Sequence, residues 1–532
     1  MFAEKGLLVK RAIQLVFPFF LLTASLAGQV ARGGWKLPRA PAPAEPKPLD
    51  WGPQAAAHLM RRAGFGASPK TQQRIMEQGL EASLDELLNF ESVDDSEMET
   101  GLAAKAYGLV RTGGGVDFSR ADGLGMQRWW LYRILNSKRQ LLEKMTFFWH
   151  DHFATSLQKV RFVNGDGLPL LLVQNETLRR HALGNFKEMV HAIARDPAMI
   201  IWLDSFANVV GSPNENWGRE LMELFTMGEG NGYTEKDIQE AARAFTGWTV
   251  DPRNRESETY LKFVFFPPHH DYEAKTVLGQ TLVSEPGEAG VQDGDRVIDI
   301  IFEQQAPAQF IARKLWEFFV YPNPDSQIVS QLGRVFQDSG YEIKPLMRAI
   351  FEHPHFMSEK AYRAKIKSPV EFVTGSFRQM GIQDPGNIPF ILEVFGLGQS
   401  PFLPPDVGGW TSDTGWINTG TLLGRYNFMS FYTSNRQERV RQQRFLARDQ
   451  IDVEGILHEN QLSSDIAVVD YFVRALVQSD VSADTWATLL DYLNTGDDGL
   501  PLPFDAGDPS MVDKKVRGLI YLISLLPVYQ LN

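Results

Sequence analysis

The 532-residue chain has no cysteine, which excludes disulfides, thiolate metal ligands and a cysteine nucleophile together. Stability must come from an ordinary apolar core, for which 43% hydrophobic residues are ample material. Clustered basic residues are also missing. The net charge is −12, and a surface of this sign repels phosphate backbones, so nucleic acid is not an expected partner. No Gly-x-Ser-x-Gly elbow, Walker loop, Rossmann fingerprint or His-Glu-x-x-His pair occurs. The common hydrolase, nucleotide-binding and zincin classes therefore have no direct support.

The long apolar run stands at the amino terminus, where Lys5, Lys10 and Arg11 precede Ala12 to Ala27, and Ser25 and Ala27 have the spacing a signal peptidase reads. At about 16 residues, with Pro18 inside, the run falls short of the roughly 20 needed to span a bilayer. Residues 1–27 are expected to be a signal peptide. The mature protein is then secreted or periplasmic, with no stable membrane span, and without cysteine it has no lipid anchor. Residues 1–27 hold three basic groups and one acidic, so their loss takes the charge from −12 to −12 − 2 = −14. Residues 28–50, with GGWKLPRAPAPAEPKPLD, are dense in proline and read as a tether. The folded body is expected over 51–532, as one helical domain or two lobes.

Helix signals dominate that body. Four capping boxes are expected, at Ser137 with Gln140, Asn185 with Glu188, Ser212 with Glu215 and Ser368 with Glu371. Pro213 and Pro369 would then open their helices. Leu141, Met145 and Phe148, and again Ile238, Ala241, Ala242 and Phe245, recur at helical spacing. Strand is signalled at Tyr260 to Phe266 and near Thr276 to Leu278, which suggests a small β-hairpin insert in a mainly α, multi-helix globular fold. Met189–Met199, Leu346–Phe356 and Leu519–Tyr529 each run as an amphipathic helix and reach proline at the ninth position. That echo fits repeated helical units or simply proline after a helix end.

Seven segments, HLMRRAGFG (58–66), FWHDHF (148–153), the long stretch Asn214 to Trp248, HDYEAKTVLG (270–279), IARKLWEFF (311–319), KSPVEF (367–372) and PPDVGGW (404–410), together resemble the family called domain of unknown function 1800. The resemblance implies an exported bacterial protein. It also implies, as a partner, a sulfatase-like protein of the family called domain of unknown function 1501. The chain departs from the family pattern at Asp151, where Asn is expected between the two histidines, and at Phe225, where His is common. The second departure removes a metal ligand the pattern would offer.

The chemistry-bearing candidates lie in these segments. His58, His150, His152, His270 and Asp271 are the expected ligands of a divalent metal, zinc, iron or manganese, which would activate water for hydrolytic or oxidative chemistry. Against this, residues two apart on a continuous helix point about 200° apart, so His150 and His152 share an ion only if the helix unwinds. The alternative is a packed core histidine. Asp151, Glu220 and Glu223 are the candidate acid–base groups. The Glu215, Arg219, Glu223 spacing equally predicts ion pairs along one helix face. Arg219, Arg243, Trp248, Lys314 and Trp410 are candidate binding residues, the tryptophans by stacking on the rings of a glycan. The Met227 to Asp237 stretch (MGEGNGYTEKD) matches neither a calcium nor a phosphate loop and is read as a turn ended by Thr234. A non-enzymatic assembly or glycan-binding protein working beside the sulfatase-like partner is the rival reading.

Overall fold

The computed structural model describes residues 46–105, 110–112, 115–117, 123–161, 167–251, 256–385, 389–434, 439–440, 443–444 and 451–532. The signal segment and most of the tether lie outside the described residues. The tether's last residues are packed: Leu49 donates its amide to the Met357 carbonyl (2.9 Å), and Pro48 bridges Ser358. The packed chain thus extends a few residues ahead of Trp51.

The fold is mainly α, with 61% of the structure helical. Helix periodicity turns directly into packing. In the Ile343–Phe351 helix, Ile343, Leu346, Met347, Ile350 and Phe351 form one face, and each is fully buried. The Phe186–Ala194 helix repeats the same spacing with Phe186, Met189, Val190, Ile193 and Ala194. The two helices are stitched at their starts, where Asn185 and Glu342 bridge, Phe186 donates to the Tyr341 carbonyl (2.9 Å) and Ile343 to that of Gly184 (2.8 Å). Proline follows a helix end in all three echoing segments; Pro197 and Pro527 each open the next helical turn.

The interior forms two apolar clusters. One gathers Met145, Phe148, Trp149, Phe225 and Trp316, and the other gathers Phe65, Trp130, Phe147, Phe372 and Tyr529. The Gln140–His152 helix contributes to both, which places its carboxyl end between them.

Caps account for several helix starts. Ser368 and Glu371 form the expected reciprocal box with Pro369 at the first position, and Thr234 with Asp237 and Asn418 with Thr421 form two more. Asn185 caps the Glu188 amide (3.1 Å) in one direction. Two expected boxes are corrected. Ser137 donates to Asp95 (2.7 Å) and accepts the Arg139 amide (3.0 Å) instead of that of Gln140, and the helix starts at Gln140 with Arg139 at its cap. Ser212 stays in a turn with Val209, Asn214 takes the Asn216 amide (2.9 Å), and the helix starts at Asn216, leaving Pro213 outside it.

Among the described residues, strand is confined to short antiparallel pairs. Phe263–Phe265 pairs with Trp248–Val250, and Lys275–Val277 pairs with Gln280–Leu282. The two expected extended stretches are thus strands of separate sheets, not one hairpin. The second closes on itself because Leu278 (φ 48°) and Gly279 (φ 78°) both take the positive φ that a two-residue hairpin turn requires. Among the described residues no helix is long and apolar enough to cross a membrane.

Candidate acid-base site

The Gln140–His152 helix runs unbroken through its histidines, so the two rings leave on different sides. His150 Nε2 accepts the Phe402 amide (3.0 Å), and its ring lies between Trp130 and Phe402. Burial pushes its pKa down to about 3. His152 donates from Nε2 to the Phe225 carbonyl (2.9 Å) among Phe148, Phe153 and Phe225. Burial, and secondarily Lys314, hold it well below the usual imidazole range.

The other proposed ligands are engaged elsewhere. His58 Nε2 bonds the Phe356 carbonyl (3.0 Å). His270 Nδ1 faces the Thr246 carbonyl (2.7 Å) and its Nε2 faces Asp293 (3.2 Å). Asp271 takes a two-pronged pair from Arg243 (2.8 and 3.2 Å). Among the described residues, no group of three or more His, Asp or Glu is arranged to hold an ion. These residues do not fit the zinc, iron or manganese centre that the sequence suggested, because no three of them converge and each imidazole bonds a different neighbouring group. Phe225 is fully buried.

The acidic helix is largely an ion-pair ladder. Arg219 pairs with Glu215 (3.0 Å) and Glu223 (3.2 Å) as its spacing predicts, and also with Glu235 (2.7 Å). Beyond Glu220 the helix widens into a π-turn, Leu221–Thr226, and the Met227 and Gly228 amides both bond the Met222 carbonyl (3.0 Å each). Burial, aided by Glu223, raises the Glu220 pKa. Gly228 (φ 85°) then turns the chain against Phe310, whose ring would lie 2.6 Å from any Cβ there. Arg243 is taken up by Asp271 and Glu240. Trp248 is a core residue, 2% exposed between Phe245 and Phe263 under the Arg195 guanidinium, so it offers no stacking face.

Asp151 is different. It leaves the helix between the two histidines onto a partly exposed face, where Oδ1 accepts the Trp410 amide (2.8 Å). The Pro404–Trp410 segment reaches it through Gly409, at φ 86°, where a Cβ would fall 2.3 Å from Asp151 Oδ1 and 2.7 Å from its carbonyl oxygen. Two separate motifs, FWHDHF and PPDVGGW, therefore meet at one carboxyl, and a glycine is required for the fit. Lys314, on the Ala306–Phe319 helix, supplies the charge opposite. Burial raises the Asp151 pKa to about 6, against the opposing pull of the Trp410 amide and Lys314. Burial likewise lowers that of Lys314. The Trp410 ring, partly exposed, lies parallel to Phe147 at 6.3 Å and 5.6 Å from His150. Asp151, Lys314 and Trp410, named separately from sequence, are thus brought together; Glu223, Arg219, Arg243 and Trp248 have structural partners of their own.

Sequence reasoning missed a second feature. A cleft of about 490 Å³ is lined by Arg133, Arg139, Glu143, Glu176, Arg179 and Arg180, among others. Its floor is Glu143, 1% exposed, which accepts from Arg179 Nε (2.8 Å) and Nη2 (3.0 Å) and from the Trp130 indole (3.1 Å). Burial opposes its charge, but Arg179 and Arg133 outweigh burial and hold the carboxyl at about 2. Partners 36 residues apart leave no local signal.

Comparison with curated proteins and with solved structures gives no match. The family model described as "Protein of unknown function (DUF1800)" matches residues 58–531, nearly the whole described unit. The chain belongs to that family.

Proposed function

We propose that this is an exported protein whose Asp151, Lys314 and Trp410 carry out acid–base chemistry on a hydroxylated, glycan-like substrate. The observation behind the reading is Asp151, a partly exposed residue whose carboxyl is pushed by burial up to about 6, near neutral pH. A proton-transfer group is most effective when its pKa lies near the working pH. In its ionised form Asp151 takes the proton of an attacking water or hydroxyl. Lys314 offers positive charge to the oxygen that becomes negative. Trp410 offers an indole face to a sugar ring. Export rests on the basic-then-apolar leader of residues 1–27.

The test is hydrolysis of a panel of chromogenic glycosides and bacterial polysaccharides by the mature chain. Activity should rise through pH 6 and vanish in Asp151→Asn while the circular dichroism stays unchanged. Full activity in that variant, or an Asp151 that titrates near 4, would overturn the reading.

One surface favours a second reading, a non-catalytic assembly protein that docks the sulfatase-like partner. Val210, Phe266 and Tyr272 are 48%, 37% and 38% exposed. They are held together by the Val210 amide on the His269 carbonyl (2.8 Å), the Phe266–His269 ring contact (4.6 Å) and the Tyr272 hydroxyl on the Pro267 carbonyl (3.3 Å). Loss of partner co-purification in Val210→Asp, with no loss in Asp151→Asn, is the result this second reading requires.

A further inference from the structure

A second cluster of charge lies away from Asp151. The Pro53–Arg62 helix ends in two arginines that point inward, Arg61 at 5% and Arg62 at 2% exposure. Arg363, Lys367 and Arg425 join them, all buried. The carboxylates nearby are already assigned: Glu371 takes Lys144, Asp413 takes Lys365 (2.9 Å) and Asp480 takes Arg363 (2.8 Å). Among the described residues, the other four cations have only neutral acceptors. Arg61 Nη1 reaches Gln478 (2.6 Å), Arg62 Nη2 the Ala361 carbonyl (2.7 Å), Lys367 the Tyr529 carbonyl (2.6 Å) and Arg425 Nη2 the Lys367 carbonyl (2.7 Å).

A buried ion without a counter-charge is strongly disfavoured. Lysine escapes by releasing its proton, and burial together with Arg61, Arg363 and Arg425 does push Lys367 far down. Arginine has no such escape. Three guanidinium charges therefore stay in the interior with no carboxylate bonded to them.

The unused hydrogen-bond donors show where compensation belongs. Among the described residues, Arg61 Nε and Nη2, the two N–H groups along one edge of the guanidinium, and the Tyr362 hydroxyl make no well-aligned hydrogen bond, and the hydroxyl lies near enough to the guanidinium to interact with it and to share a ligand with it. The Tyr362 ring lies 5.6 Å from the Arg61 guanidinium carbon and 5.1 Å from that of Arg363. Arg363 Nη2 shares the Gln478 oxygen (3.1 Å) with Arg61. A guanidinium edge grips two oxygens of one oxyanion in parallel, and a hydroxyl can serve a third. Tyr362 as a residue is partly exposed, and the Asp480 side chain on Arg363 is 41% exposed, so the buried Arg61 donors and Tyr362 hydroxyl lie just beneath the surface at this end of the cluster.

We infer that the protein binds a small tetrahedral oxyanion, of the phosphate or sulfate class, between the open edge of Arg61 and the hydroxyl of Tyr362, with Arg363 as the second cation. A doubly charged anion suits this place better than a monocarboxylate, because more than one positive charge is unmatched there. The site is separate from Asp151 and does not depend on the acid–base reading.

The experiment uses the full mature chain purified in chloride buffer free of phosphate and sulfate. Ion chromatography of the denatured protein measures any anion carried through, and calorimetric titration with inorganic phosphate, sulfate and acetate at constant ionic strength measures binding. The expected result is about one equivalent carried through, or saturable binding of phosphate or sulfate well above acetate. Arg61→Lys keeps the charge but loses the edge, and should weaken binding at least about tenfold; Tyr362→Phe removes one hydroxyl and should weaken it several-fold. If Arg61→Lys does not fold, Tyr362→Phe decides alone. No released anion together with no response beyond that to sodium chloride overturns the inference, as does binding that Tyr362→Phe leaves unchanged.

Discussion

Replacing Glu143 by Gln keeps the shape of the cleft floor and removes its charge. Arg179 is 6% exposed and Arg133 12%, so the variant leaves two guanidinium groups facing a neutral amide in a place water barely reaches. Breaking a buried pair from one side costs about 3–5 kcal/mol. The proton affinity gives an independent figure: a carboxyl moved from its ordinary 4.5 to about 2 is worth about 3 kcal/mol, at about 1.4 kcal/mol per tenfold. The sign follows from linkage. Because the folded pKa lies below the unfolded one, this stabilisation is complete above pH 4.5 and is lost as pH falls through about 2. Urea unfolding of wild type and Glu143→Gln, followed by tryptophan fluorescence because Trp130 bonds the carboxylate, should differ by about 3 kcal/mol at pH 7 and about 1.4 kcal/mol at pH 3. A difference that is constant across this range, or below about 1 kcal/mol at pH 7, would refute the view that the ion pair holds the cleft floor.

The Asp151 site predicts the opposite sign. Burial raises this carboxyl from 3.8 to about 6, so ionising it opposes folding as pH climbs from 3.8 through 6; Asp151→Asn should be more stable than wild type at pH 7 and equal to it below pH 3.8 by the same urea assay. Lys314→Met removes the ammonium that favours the charged carboxylate, so in the Lys314→Met background the stabilities of the parent and its Asp151→Asn variant should still part near pH 3.8 but go on separating above pH 6 and end further apart. Gly409→Ala places a methyl group against the Asp151 carbonyl at a positive φ; about 1–2 kcal/mol for the backbone and about 1–3 kcal/mol for the overpacking predict a lowered urea midpoint and an Asp151 displaced from the Trp410 amide.

The features legible in the sequence are those whose information is local. Ser368, Pro369 and Glu371 specify a helix start within four residues, and the structure realises it, adding only that Glu371 also holds Lys144. The Ser137 box did not form because the hydroxyl, oriented by donating to Asp95, 42 residues away, accepts the Arg139 amide and not that of Gln140, and no local pattern reveals the Asp95 contact. The divergence of His150 and His152 followed from helix geometry once the helix proved continuous. By contrast, the meeting of Asp151 with Trp410 spans 259 residues. Both residues stood out from their motifs, but their contact required the fold. The cationic cluster was invisible for the same reason: Arg61 lies 417 residues from Gln478, and no local pattern in HLMRRAGFG marks its arginines as buried.

The buried charges of this protein fall into two kinds, and the distinction separates architecture from function. Glu143 has ions and hydrogen bonds on every side, its charged form is favoured, and its removal should only weaken the fold. Asp151 and Arg61 are each held where their charged form is disfavoured, one by burial that the Trp410 amide and Lys314 offset only in part, the other by burial with the donors of one guanidinium edge left without a well-aligned bond. Folding alone gives no reason to keep either, since a neutral residue of similar shape would be less costly. A ligand or a reaction that uses the unfavourable state does give one, and the gain in stability expected of Asp151→Asn measures what the fold gives up to keep that carboxyl.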